Sequence, residues 1–352
     1  MMRRAGEILA TNRPLLILLV PLVAATIIGS TVGGTLLGRI LTIFFINLML
    51  VLSLQLFTGN SGLLSFAHTG FMGIGAYVSA VLTMTPAAKA AAIPDIYPFL
   101  EPIQLPFLGG VLVGALVAAL VAGVVSFPIM RLSDAASVIS TFALLVIVQV
   151  VLAHWSQVTN GPRTLFGLLP YTDLPTAALW GLVFLVVAWA FKHSSLGLRL
   201  RASRDSEYAA STVGIDIVRL RWVAFTISAF VAGFAGGLWA HFITSFTPRA
   251  FYLTETFVVL TMLIVGGPRT VSGAVVGTVA VTAAFQGLRS IENELNIQFA
   301  PFQVVGLTEI VLAVVLIVVL AIRPGGLLEE REIMSRARRA PLPATGPAGE
   351  EA

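Results

Sequence analysis

Residues 59–77 read GNSGLLSFAHTGFMGIGAY, five glycines in nineteen residues, with Asn60, Ser61, Ser65, His68 and Thr69 among them. The stretch lies inside a chain of 352 residues that is 57% hydrophobic and only 11% charged, with a mean hydropathy of +0.95. A soluble domain of that length carries far more charge. Several apolar runs approach the ~20 residues that cross a bilayer as a helix, whereas the roughly ten-residue alternating segments of a transmembrane barrel are not seen. The fold class is therefore all-α, a polytopic membrane protein with Gly-rich broken helices. Backbone amides in hydrocarbon must be satisfied inside the protein, so irregular backbone at that depth survives only within protein or beside a water-filled cavity. Two readings of 59–77 follow. One is a tight turn between two spans, followed by close helix packing through Gly70, Gly73 and Gly75. The other is a broken helix on a translocation path, with Asn60, Ser61, Ser65 and His68 turned to solvent.

Working outward, ten spans are predicted at roughly 15–35, 40–57, 68–84, 107–130, 135–154, 175–192, 222–243, 253–265, 271–289 and 303–322. A cleaved signal peptide competes for the first, but no Ala-x-Ala site follows it. With the N-terminus inside, 16 of the 21 basic residues fall on the cytoplasmic side, which predicts an N-in, C-in topology. The segment 253–265 is too short to cross upright and reads either as a full span or as re-entrant. Residues 1–14 form a cytoplasmic N-terminus, 15–328 the transmembrane domain, and 329–352 a disordered cytoplasmic tail by composition. Ten spans split five and five would give two halves of opposite orientation.

Polar residues within spans are costly and default to functional candidates. Asn47 and Gln55 lie eight residues apart, within a quarter turn of one another on a helix. Gln149 sits in the fifth span. Glu309, a few turns into the tenth, stands alone as an intramembrane carboxylate, and an interhelical hydrogen bond is its plainer reading. The seventh span repeats small residues every four positions, Ala229–Gly233–Gly237 and Ala232–Gly236–Ala240, a face for a closely packed neighbour.

Several chemistries are excluded. The chain has two lysines, Lys89 followed by Ala and Lys192 followed by His, so it has no phosphate loop, which needs Lys followed by Ser or Thr. It has no cysteine, hence no disulfide framework. No zinc motif or Gly-x-Ser-x-Gly elbow occurs. No catalytic residue, metal site or cofactor is expected in the chain, and the net charge of +4 reads as membrane orientation with no nucleic-acid partner.

The longest polar run between spans is the loop at about 193–221. A short amphipathic helix is predicted from Ser206 to Val213, capped by Asp205 or Ser206 and stopped by Gly214. Positive-inside charge explains Arg199, Arg201, Arg204, Arg219 and Arg221, but not the pattern of Glu207, Ala209, Ala210 and Gly214. That pattern resembles the coupling loop of ABC importer permeases, which fits a cleft on a separate ATPase.

Five motifs in order then resemble one family, the branched-chain amino acid ABC-transporter permeases, LivM-type subunit. They are Asn47 with the stretch 59–77, TNGPRTLFGL from Thr159, the loop running into span seven, VGGPRTVSGAVVGT from Val265, and RPGGLL from Arg323. Together they cover most of residues 40–328. Phe66-Ala67, Arg269 and Glu309 depart from the family pattern and leave the substrate open. The resemblance implies an importer of branched-chain or other hydrophobic amino acids in a bacterial inner membrane. Its partners would be a second, LivH-type permease, two ATPase subunits that use ATP, and a periplasmic substrate-binding protein. It implies coupling through Arg199, Arg201, Arg204, Asp205, Glu207, Ala209, Ala210 and Gly214. It implies a path near Asn47, Ser65, His68, Gly70, Gly73 and Glu309. Urea, amides or aromatic acids are alternative substrates, and a stand-alone secondary transporter using Glu309 is the alternative mechanism.

Overall fold

The structure, a computed structural model, describes residues 2–31, 33–132, 134–298, 306–322 and 325–328. The expected tail 329–352 and the side chain of Glu309 lie outside the described residues. The chain runs through α1 (Met2–Thr31), α2 (Gly34–Leu54), a π turn at Gln55–Gly59, α3 (His68–Thr83), α4 (Pro86–Ala92), α5 (Phe107–Ile129) and α6 (Asp134–His154). It continues through α7 (Ser156–Thr159), α8 (Leu174–His193), α9 (Ser195–Asp205), α10 (Glu207–Thr212) and α11 (Ile217–Ile243). After a 3-10 turn at Pro248–Phe251 come α12 (Leu253–Gly266), α13 (Val271–Gln298) and α14 (Leu307–Ile322). Extended pairing among the described residues is limited to one antiparallel bridge, Leu165 with Phe246.

Among the described residues, each of the ten predicted apolar runs overlaps a helix. Among the described residues, eight helical stretches are long and apolar enough to cross a membrane. α3 and α14 have 16 residues each, about 24 Å at 1.5 Å per residue, less than a hydrocarbon core of ~30 Å. The short segment at 253–265 gains length from the 3-10 turn before it, giving a stretch Pro248–Gly266 of 19 residues.

The centre of the bundle is built on α2 and α11, whose apolar windows are 83% and 72% buried, while α1 at 22% sits on the rim. α11 packs against α3 and α5 through the small-residue face read from the sequence. A Cβ added to Gly233 would stand 2.6 Å from the Cβ of Ala118 and 3.1 Å from the Cα of Ala115. A Cβ on Gly114 of α5 would stand 2.6 Å from the Gly75 carbonyl of α3. In lipid, where water gives no drive for helices to associate, such backbone approach supplies the van der Waals contact that holds them.

Each end of α3 is tied to α11 by a buried histidine. At one end His241 of α11 places Nε2 3.1 Å from Thr83 Oγ1 and 3.3 Å from Ser79 Oγ of α3, and Nδ1 lies 3.2 Å from the Leu169 carbonyl. Beside it, Lys89 of α4 is buried and its ammonium donates to the carbonyls of Leu100 (2.8 Å) and Ile103, tying the 93–106 loop down. Burial pushes the Lys89 pKa below the usual lysine value, and the Glu101 carboxylate works against that shift.

Gly233→Leu is expected to break the α3–α5–α11 slab, at a cost of about 1–3 kcal/mol or more for overpacking. A thermal-shift measurement in mild detergent should show a clear fall in melting temperature. An unchanged melting temperature would mean that the small-residue contact does not hold the core.

Candidate functional site

The opening stretch is a break in the helical bundle. α2 winds into the π turn, and the chain then leaves helical geometry from Gly62 (φ +79°) to Ala67 before α3 begins. The start of α3 lies well inside the bundle. Its first residue, His68, meets Ser228, eleven residues along α11 from Ile217, about 17 Å from that helix's start at 1.5 Å per residue. The irregular backbone is satisfied by hydroxyl side chains, as membrane depth demands. Leu63 N–H donates to Ser61 Oγ (3.2 Å), Phe66 N–H to Thr141 Oγ1 of α6 (3.4 Å), and Ala67 N–H to Ser65 Oγ (3.4 Å).

Burial alternates along this irregular piece. Leu63, Ser65 and Ala67 are buried, while Gly62 is exposed and Leu64 and Phe66 are half-buried. Ser65 therefore turns inward, where its Oγ lies 3.0 Å from His68 Nδ1; His68 Nε2 lies 2.9 Å from Ser228 Oγ. Phe57, Phe71 and Phe225 surround that ring. The accessible edge is Leu64 and Phe66, with Phe66 5.7 Å from Phe142 of α6 and 6.3 Å from Phe257 of α12. Of the other candidates, Asn47 is buried in α2. Gly70 and Gly73 bring α3 against α6: a Cβ on Gly70 would meet Val148 at 3.4 Å, and one on Gly73 would meet Leu152 at 2.9 Å.

The break joins the polar loop at one end of the bundle. Thr58, Gly59, Ser61, Gly62 and Leu64, Arg204–Glu207 with Arg221, and Leu263–Ile264 with Pro268–Arg269 line one cavity of about 520 Å³. Three motifs far apart in sequence thus converge. Arg204 Nη1 donates to the Gly59 carbonyl at 2.8 Å, and its Nη2 pairs with Asp205 at 3.2 Å. Arg201 donates to the Lys192 carbonyl (3.0 Å), and Lys192 Nζ to the Arg269 carbonyl (3.0 Å). Leu327 and Leu328 N–H donate to the carbonyls of Val265 and Gly266 at 2.8 and 3.0 Å, which docks the end of the RPGGLL motif on the late glycine motif. Arg199 is exposed.

α10 is the predicted short helix. Ser206 Oγ accepts from Ala209 N–H (3.2 Å), and Ser206, not Asp205, is the cap. Gly214 (φ +82°) ends it, and Ile215 N–H donates back to the Ala210 carbonyl at 3.1 Å, a Schellman-type stop. Glu207 pairs with the buried Arg221 guanidinium of α11, and Ala210 is buried while Ala209 is exposed. Tyr208 and Val213 project outward, 82% and 81% exposed.

One residue was overlooked in the sequence. Glu255, in the first turn of α12 within Pro248–Gly266, is a second carboxylate in a stretch able to span, so Glu309 does not stand alone. Its place in the predicted run 253–265 was the available signal.

Residues 35–320 match the family described as branched-chain amino acid transport system / permease component. The chain belongs to that permease family. This permease is 29% identical over 262 residues to the high-affinity branched-chain amino acid transport system permease protein LivM of Salmonella typhimurium and, to the same extent, to that of Escherichia coli. Each match covers 65% of the permease and 58% of the relative, so the match spans under two thirds of those proteins' length. It is also 24% identical over 223 residues to the nucleoside ABC transporter permease protein NupC of Lactococcus lactis, covering 60% of the permease and 68% of that protein. No solved structure matches it. Family and helices together make the permease a multi-pass membrane protein.

The Glu207–Arg221 pair predicts a charge-swap result. Glu207→Arg sets two guanidiniums against each other and should free α10, at a cost of about 1.5–3 kcal/mol for a charged hydrogen bond. Adding Arg221→Glu should restore protection of α10 from limited proteolysis. A double variant as protease-sensitive as the single one would rule out the pair as the anchor of α10.

Proposed function

We propose that this chain is the permease subunit of an ABC importer that carries branched-chain or other hydrophobic amino acids into the cytoplasm. Separate ATPase subunits drive it, and α10 seats in a cleft on one of them. The observation that carries this reading is α10 itself, a capped helix anchored by an ion pair that holds Tyr208 and Val213 out of the fold. Large apolar side chains exposed together on an ordered element mark a partner surface. The face bearing α9 and α10 is then cytoplasmic, and the terminal segments N-in and C-in. A second, LivH-type permease completes the path, a periplasmic binding protein delivers the substrate, and the membrane is the bacterial inner membrane. ATP is used by the partners, with no cofactor in this chain.

Within this reading the path runs along the accessible edge of the break, Leu64 and Phe66, between α6 and α12. Ser65 and His68 position that edge from behind, with Asn47 in the adjoining core, and Gly70 and Gly73 set the distance to α6. Arg204 links α9 to the break through the Gly59 carbonyl, so motion of α10 on the ATPase reaches the path. The nucleoside permease relative supports a second substrate class, since both amino acids and nucleosides offer an apolar or ring surface to the aromatic trio Phe66, Phe142 and Phe257.

Affinity purification in mild detergent tests the assembly. The unaltered chain should bring down two ATPase subunits and a second permease. Tyr208→Asp with Val213→Asp should lose the ATPase subunits while keeping the second permease and the melting temperature. Full ATPase recovery with the double variant would remove α10 from the docking role. Separately, Gly73→Leu, whose first side-chain atom already meets Leu152 and Phe251 at 2.9 and 3.0 Å, should abolish uptake of labelled leucine at normal expression. Normal uptake would detach α3 from the path.

A further inference from the structure

Away from the break, α5 and α11 form a second feature at the α9–α10 end. α5 carries one outward stripe, Leu116, Leu120, Val124 and Phe127, each well exposed, spaced by three and four residues so that they share a face. The stripe ends at Arg131, whose guanidinium lies 4.7 Å over the Phe127 ring. Across from it, Trp222 of α11 meets Phe127 edge-on at 6.1 Å and donates its indole N–H to the Gly123 carbonyl at 2.6 Å. Phe127, Arg131, Asp216, Val218, Arg219 and Trp222 line a groove of about 470 Å³.

The charges in the groove are unequal. Asp216 Oδ1 accepts the Arg219 N–H at 3.0 Å and caps α11, so one carboxylate is committed to a helix N-terminus. Neither Arg131 nor Arg219 has an ion-pair partner among the described residues. Two guanidiniums thus open onto a site where an apolar, outward-facing helix stripe meets the polar loop, with a tryptophan at the boundary. Trp at the headgroup level and basic pockets between spans are the features that hold anionic lipid headgroups, and the planar fork of arginine suits a phosphate diester.

We infer that this groove is a binding site for an anionic phospholipid, its phosphate held by Arg131 and Arg219 and one acyl chain lying along Leu116, Leu120 and Val124. The inference needs the chain to be a membrane protein and does not depend on its substrate. The aromatic wall of Phe127 and Trp222 shapes the groove for a headgroup at the interface.

The test is native mass spectrometry of the full chain, delipidated in detergent and titrated with phosphatidylglycerol or phosphatidylcholine. Phosphatidylglycerol should be retained in preference. Arg131→Gln and Arg219→Gln should each weaken that retention about fivefold, the value of one basic residue near an anionic surface. Arg39→Gln, which removes a guanidinium stacked on Phe242 at 5.9 Å, should leave it unchanged and controls for a general loss of charge. Equal retention of both lipids, or unchanged retention in the two groove variants, would overturn the site. Inorganic phosphate that displaces the lipid at equal concentration would overturn the acyl-chain half of the inference. Loss of ATPase co-purification in the groove variants with lipid retention intact would reassign the groove to the protein partner.

Discussion

A hydrogen-bonding constraint organises this molecule. Between the π turn after α2 and the first residue of α3, the backbone leaves the helix within the bundle, and several of its amides are paired by side chains. Ser61, Ser65 and Thr141 supply the missing acceptors, and Arg204 supplies a donor to the Gly59 carbonyl. Much else answers that break. α6 must lie close enough to offer Thr141. The polar loop must fold back far enough for Arg204 to reach Gly59. α11 must present Ser228 to the histidine that starts α3.

Both ends of α3 are tied to α11. His68 ties the inner start of α3 to α11, and His241 ties the outer end of α3 to the same helix. Between them glycine and alanine let the backbones touch, and α5 closes the third side. Packed interiors deform little and tend to move as units. α3, α5 and α11 therefore form one closely packed slab, against which the segment 62–67 and, through Arg204, α9 are held.

Much of this was legible in the chain. The helix-length apolar runs, the four-residue spacing in α11, the capped helix near Ser206 and the glycine stop at Gly214 depend on neighbours in sequence, and each appears where the local pattern puts it. Three readings needed more than sequence neighbours. Ser65 and His68 left open whether they face solvent or pack inside, and the alternating burial of the irregular segment turns Ser65 inward and leaves Leu64 and Phe66 at the accessible edge. Lys89 served only to exclude a phosphate loop, yet it is buried because a loop eleven and more residues later brings carbonyls to its ammonium. Glu255 looked like part of a short run because the 3-10 turn that lengthens it has no hydrophobic period.

The sequence by itself determined that the protein is helical, crosses membranes, lacks a phosphate loop and carries the ordered motifs of one permease family. The first three follow from composition and local pattern, and the last is a resemblance carried by the motifs themselves. Only the tertiary structure decided that Gly59, Arg204 and Pro268 line one cavity, that Glu207 faces Arg221, and that Arg131 and Arg219 share a groove. Such pairings join residues on separate helices, and their partner choice is set by how whole helices pack against one another, a quantity that no local stretch of the chain contains.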